Sequence, residues 1–108
     1  MDIKVLQSTG EFREVIETHD EFVLLKHSLT CPISAGAKEE FEQFSKETKI
    51  PLYILYVQEA REFSNKISEE FHIKHESPQV LLFKNSEVTW TDSHGRITKK
   101  VLEENINS

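Results

Sequence analysis

Phe22-Val23-Leu24-Leu25-Lys26-His27-Ser28-Leu29-Thr30-Cys31-Pro32-Ile33-Ser34-Ala35-Gly36-Ala37 is the stretch that decides the reading of this chain. Its first four residues form a continuous apolar run, which suits a strand buried on both faces and so a parallel one. Its last residues open a helical pattern, with Pro32 at a position suited to a first helical turn. Between strand and helix stands Cys31, the only cysteine of the chain. Ser34 occupies the place where a CxxC motif has its second thiol. In such motifs the second thiol expels the bound substrate, so if Cys31 is catalytic in disulfide exchange its oxidised form has to be a mixed disulfide with another molecule.

Working outward, Ile3-Lys4-Val5-Leu6 reads as a first strand, and Ser8 with Glu11 three residues later has the form of a capping box. Phe12, Val15 and Ile16 continue at helical spacing to Thr18, where His19-Asp20 breaks the pattern. After Pro32, the apolar stripe Ala37, Phe41 and Phe44 opposes Lys38, Glu39, Glu40 and Glu42, and this helix is expected to run to about Lys49 before Pro51 stops it. Leu52-Tyr53-Ile54-Leu55-Tyr56-Val57 is the most hydrophobic run and reads as a central strand. Ala60, Phe63, Ile67 and Phe71 mark a third helix. Pro78-Gln79-Val80-Leu81-Leu82-Phe83 and Glu87-Val88-Thr89-Trp90-Thr91 read as strands of an antiparallel hairpin, because the connection Lys84-Asn85-Ser86 is short and polar. Ile97, Val101, Leu102 and Ile106 supply a closing amphipathic helix. The order βαβαβαββα requires parallel crossovers first and an antiparallel pair after, hence an α/β fold with a mixed central sheet flanked by helices.

A chain of 108 residues with 37% apolar content suits one domain, expected over residues 1–108. No apolar stretch approaches the roughly 18 residues of a membrane span, and a signal-peptide pattern is not seen, so a soluble, cytoplasmic protein with no membrane partner is expected. A net charge of −6 argues against a general affinity for nucleic acid, which needs a basic surface. A single cysteine excludes an intramolecular disulfide, as expected in a reducing compartment. The five histidines His19, His27, His72, His75 and His94 show no ligand spacing, and no metal is assigned.

A cysteine at a helix N-terminus faces unpaired backbone N–H groups and the positive end of the helix dipole, both of which favour thiolate over thiol. Such sites have pKa values of about 3.5 to 7.5, against roughly 8.5 for a free cysteine. Ser34 has a hydroxyl to offer that thiolate. The bland alternative is a small buried apolar filler. The adjoining Pro32, the helix start and Ser77-Pro78, a proline at the first residue of a strand, favour the nucleophile.

Thr30-Cys31-Pro32-Ile33-Ser34, Ser77-Pro78 and Trp90…Ser93-His94…Ile97-Thr98 together resemble the YtxJ family of bacilliredoxins, the monothiol thioredoxin-fold proteins of bacillithiol-using Firmicutes. The Cys-Pro-Ile-Ser tetrad in a chain of this length is the most specific part. Gly95 stands where a second aromatic residue is expected. The resemblance implies a thioredoxin-like fold with a cis proline at Pro78 beside the reactive cysteine, and with Ser77 offering backbone groups to an extended substrate. It implies that Cys31 takes bacillithiol from S-bacillithiolated client proteins onto itself. A second bacillithiol, the thiol co-substrate, then regenerates Cys31, and a flavin-dependent reductase recycles bacillithiol disulfide. Thr30, Pro32, Ile33 and Ser34 would shape and stabilise the thiolate, and Ser77, Pro78 and His94 would bind substrate. No bound cofactor and a monomer are expected, together with a place in the stress response.

Bacillithiol carries carboxylates, so positive or donor groups near Cys31 are needed, and Lys26, His27, His94 and Arg96 are candidates. His75, shortly before Pro78, is a candidate for tuning the thiol. Two rival readings stand beside this one. A cluster-binding monothiol glutaredoxin usually has Cys-Gly-Phe-Ser, from which Pro32-Ile33 departs. A non-catalytic thioredoxin-fold stress or binding module would carry Cys31 only as a site of modification.

Overall fold

The apolar run at residues 22–25 forms the middle of a five-stranded sheet in the computed structural model, which describes residues 2–106. In chain order the elements are β1 (Ile3–Val5), α1 (Thr9–Thr18), β2 (Glu21–His27), α2 (Pro32–Ser45), β3 (Leu52–Tyr56), α3 (Arg61–Phe71), β4 (Gln79–Lys84), β5 (Glu87–Ser93) and α4 (Lys99–Asn105). A single 3-10 turn, His94–Arg96, precedes α4. The expected order βαβαβαββα is therefore the observed one.

Strands lie in the order β1-β3-β2-β4-β5. β1 and β2 each pair with β3 in parallel, β4 runs antiparallel to β2, and β5 antiparallel to β4. Two expectations need correction. The parallel reading of residues 22–25 holds only on the β3 side, since β4 covers the other edge of β2 antiparallel. The middle strand is β2, with β3 one place nearer the edge. Both strands carry a continuous apolar run, residues 22–25 in β2 and 52–56 in β3, because both are interior and covered on two faces, so hydrophobicity alone does not rank them.

The two faces of β2 divide the core. Phe22 and Leu24 join Phe12 and Val15 of α1 and Phe63 and Ile67 of α3. Val23 and Leu25 join Ala37, Phe41 and Phe44 of α2 and Leu102 of α4. This alternation with period two is the strand pleat expressed as packing.

Local signals set several boundaries. Ser8 Oγ accepts from the Glu11 N–H at 3.2 Å while Glu11 Oε1 accepts from the Gln7 N–H at 2.8 Å, so α1 starts in a capping arrangement shifted by one donor. Thr98 caps α4 by accepting from the Val101 N–H at 3.2 Å, which leaves Ile97 packed in the core just outside that helix. Asn85 and Ser86 both have positive φ, 51° and 68°, as a two-residue hairpin turn between β4 and β5 requires. Helix α2 stops at Ser45, short of the expected Lys49. The N–H groups of Lys46 and Glu47 fold back on Gln43 and Phe44, and the buried Thr48 then accepts from the Ile50 N–H at 3.1 Å. Burying Ile50 against the core draws the chain off the helical path. Among the described residues no helix is long and apolar enough to cross a membrane.

Candidate active site

β2 delivers the chain to the C-terminal edge of the sheet at His27, and Cys31 follows as the N-cap residue of α2, with extended backbone (φ −105°, ψ 119°). Pro32 begins the helix without an orphaned donor, and the first turn carries no acidic side chain to oppose a negative charge. Cys31 is free and partly exposed. Its thiol pKa is lowered, first by the backbone N–H of Ser34; partial burial opposes this, and the N–H of Ile33 and the hydroxyl of Ser34 lower it further. These groups stabilise the thiolate, the form that attacks disulfides.

Ser34 is fully buried and acts in two directions. Its hydroxyl lies against Cys31, and its Oγ accepts from the Ser28 N–H at 3.1 Å, tying the end of β2 to the first turn of α2. Thr30 Oγ1 lies 3.4 Å from Ser28 Oγ. Gln58, from the connection between β3 and α3, accepts from the Leu29 N–H at 3.0 Å and donates to Ser28 Oγ at 2.8 Å. Sequence reading missed Ser28 and Gln58. Gln58 lies 29 positions from Leu29 and carries no local signal.

The Ser77-Pro78 bond is cis. The pairing of Lys26 with Gln79 puts Pro78 beside the last residue of β2, at the same end of the strand from which Cys31 departs. The His94 N–H donates to the Pro78 carbonyl at 3.0 Å, fastening the turn before α4 to this edge. His94 and Ile33 line one groove of about 350 Å³ with Gly36, Ala37, Glu40 and Gly95. Leu29 and Ile33 are exposed apolar residues on either side of Cys31 in sequence, with relative exposures of 52% and 51%.

The candidate carboxylate-binding groups are differently placed. Lys26 is wholly buried on the α3 side of the sheet, which removes it as a surface contact. His27 is also buried; burial and then the nearby Lys38 lower its pKa, which disfavours the charged ring, and the ring packs against Tyr56 with centroids 5.3 Å apart. His94 Nε2 sits 3.4 Å from Glu76, and Arg96 is paired with Asp92. The Glu76 carboxyl is held below its usual range, first by a hydrogen bond from Ser93 and then, against partial burial, by His94. His75 Nδ1 is engaged with Lys26 and Ser64.

A family model for monothiol bacilliredoxin BrxC matches residues 4–102. Among solved structures, a candidate oxidoreductase with a thioredoxin fold is 40% identical with a TM-score of 0.89, covering 94% of this chain and 91% of its own. Thioredoxins from Halobacterium salinarum (a single-substitution variant; 14% identity, TM-score 0.78, 95% of this chain and 86% of that one) and Malassezia sympodialis (21%, 0.77, 95% and 86%) share the fold. The family match covers nearly all of the chain and favours the bacilliredoxin reading over the glutaredoxin and binding-module readings. A lone cysteine at a helix N-terminus, on a mixed sheet with a cis proline at the same edge, agrees with it: the chain belongs to the monothiol bacilliredoxin family and is a thiol-disulfide oxidoreductase of thioredoxin fold.

Proposed function

We propose that the protein removes bacillithiol from S-bacillithiolated proteins. The Cys31 thiolate attacks the bacillithiol sulfur of the protein mixed disulfide, forming a Cys31-bacillithiol disulfide and releasing the client cysteine as thiolate. A second bacillithiol thiolate attacks that disulfide, forms bacillithiol disulfide and restores the Cys31 thiolate. Overall one disulfide is exchanged for another, the client sulfur being reduced as the sulfur of the second bacillithiol is oxidised, and a separate flavin-dependent reductase returns bacillithiol disulfide to the thiol. The chain itself needs no bound cofactor for either exchange.

The observation that carries this reading is a thiol of lowered pKa at the N-cap position of α2 with the hydroxyl of Ser34, and no second thiol, beside it. In this scheme Ser34 and the N–H groups behind Pro32 and Ile33 stabilise the thiolate. Thr30, held through Ser28 and Gln58, sets the approach to the sulfur. Ser77, ahead of the cis Pro78, receives the extended client segment, and His94 and Ile33 border the groove for the departing or arriving small thiol. The protein works as a single-domain monomer in the cytosol, in the response to thiol-oxidising stress.

Mixing the protein with a bacillithiolated model protein and following both by intact mass tests this. The bacillithiol adduct is expected to move to the wild-type chain and not to Cys31→Ala. An adduct that stays on the model protein in both cases overturns the proposal.

A further inference from the structure

Along the α1 and α3 face of β2 the pleat presents Phe22, Leu24 and then Lys26, so an ammonium stands where the pattern calls for another apolar side chain. Lys26 is 0% exposed and, among the described residues, has no carboxylate partner. A buried cation without a counter-charge is costly, and burial here pushes its pKa down to about 8. An apolar residue would fill this strand position at lower cost.

The hydrogen bonds show what the ammonium holds. Nζ donates to the Ser64 carbonyl at 3.1 Å, to Ser68 Oγ at 3.1 Å, and to His75 Nδ1 at 3.3 Å. An ammonium has three donors and no acceptor, so His75 Nδ1 accepts and the ring proton is fixed on Nε2. The remainder of His75 is exposed. Directly across the sheet from Lys26 is Gln79, also buried, whose Nε2 donates to the Lys74 carbonyl at 3.0 Å. Two buried polar side chains, facing each other across β2 and β4, therefore grip consecutive residues, Lys74 by its backbone and His75 by its ring. Those residues lead directly into Ser77-Pro78.

We propose that Lys26 and Gln79 form a clamp, completed by His75, that positions the Ser77-Pro78 segment to receive an extended client polypeptide. Lys26, Gln79 and His75 are positioning residues that touch neither the reacting sulfur nor the small thiol. This rests on the reading of Ser77 as the client-binding residue given above. The clamp favours protein disulfides over low-molecular-weight ones, because only a polypeptide uses the segment it holds.

The test compares two substrates and one reagent in wild type, Lys26→Met, His75→Leu and His75→Asn. The substrates are a bacillithiolated protein and a small mixed disulfide of bacillithiol with 2-mercaptoethanol; the reagent is iodoacetamide at Cys31. Lys26→Met and His75→Leu are expected to lower kcat/KM for the protein disulfide by about tenfold, chiefly through KM, with the small disulfide and the alkylation pH profile within twofold of wild type. His75→Asn, whose side-chain oxygen accepts from the ammonium, is expected to recover to within about threefold of wild type. Equal loss on both substrates, no loss on either, or His75→Asn as poor as His75→Leu overturns the clamp. Should Lys26→Met fail to fold, the exposed His75 pair decides the matter alone. A wild-type chain inactive on both disulfides overturns instead the function proposed above, so the two failures are distinct.

Discussion

Cys31 and Ser34 divide the work that a pair of thiols does in a CxxC motif. Ser34 keeps the hydrogen bond to the sulfur and cannot form a disulfide with it, so the thiolate is stabilised and the mixed disulfide persists until an external thiol arrives. Iodoacetamide alkylation of Cys31 against pH is expected to show an apparent pKa below that of a free cysteine, and Ser34→Ala should raise it by removing the hydroxyl while leaving the backbone N–H. The sign for stability follows from the same shift. A thiol whose pKa is lower in the folded chain adds stability above its unfolded value and loses it as pH falls through the folded value. Ser34→Ala also strands the buried Ser28 N–H, at a cost of about 1–3 kcal/mol in urea unfolding at neutral pH. A thiol pKa unmoved by Ser34→Ala would show that the backbone alone sets it. The reactive position was legible in the sequence because a cysteine before Pro32 and a helical stripe is a local pattern. The partners Ser28 and Gln58 were not, since their roles come from hydrogen bonds that close only when β2, α2 and the loop after β3 meet.

At the scale of elements, the ends of helices and strands carry both the information and the errors. Ser8, Thr98 and Pro32 start their helices as their residue types dictate. The early end of α2 was hidden, because residues 46–49 have no helix breaker among them and leave the helix only to bury Ile50. The β4–β5 turn is a sequence-encoded connection with a conformational cost: Ser86 holds φ at 68° without being glycine. Ser86→Gly is expected to raise unfolding stability by about 0.5–1 kcal/mol, read as a higher midpoint in thermal or urea unfolding. Exchange activity should be unchanged, because this turn adjoins Glu21 at the start of β2 and Cys31 follows the opposite end. A lower midpoint would show that Ser86 makes a compensating contact.

Across the whole molecule, one sheet separates two cores, and the core on the α1 and α3 side is built around phenylalanine. Phe12 meets Phe22, Phe63, Phe71 and Phe83 with ring centroids 5.4 to 6.1 Å apart, while Phe22 and Phe83 stack at 4.7 Å. Phe12→Ala should therefore cost about 3–5 kcal/mol in urea unfolding, a large share of the 5–15 kcal/mol typical of a domain. A loss below about 1 kcal/mol would mean that the cluster closes over the cavity. The sequence by itself determined the order of elements, the apolar faces that build this core, the hairpin and the place of the lone thiol before a helix. Each of these is written in the spacing of neighbouring residues, where pleat, helical turn and capping act within a few positions. Only the tertiary structure decided that β2 is the middle strand and that Lys26 is buried rather than turned to an anionic substrate, whereas the cis Ser77-Pro78 bond is the one the family resemblance implied. Lys26 reads as a surface cation until Ser64, Ser68 and His75, 38 to 49 positions away, surround its ammonium with acceptors. Burial and pairing of this kind are properties of contacts distant in the chain, and local periodicity does not contain them.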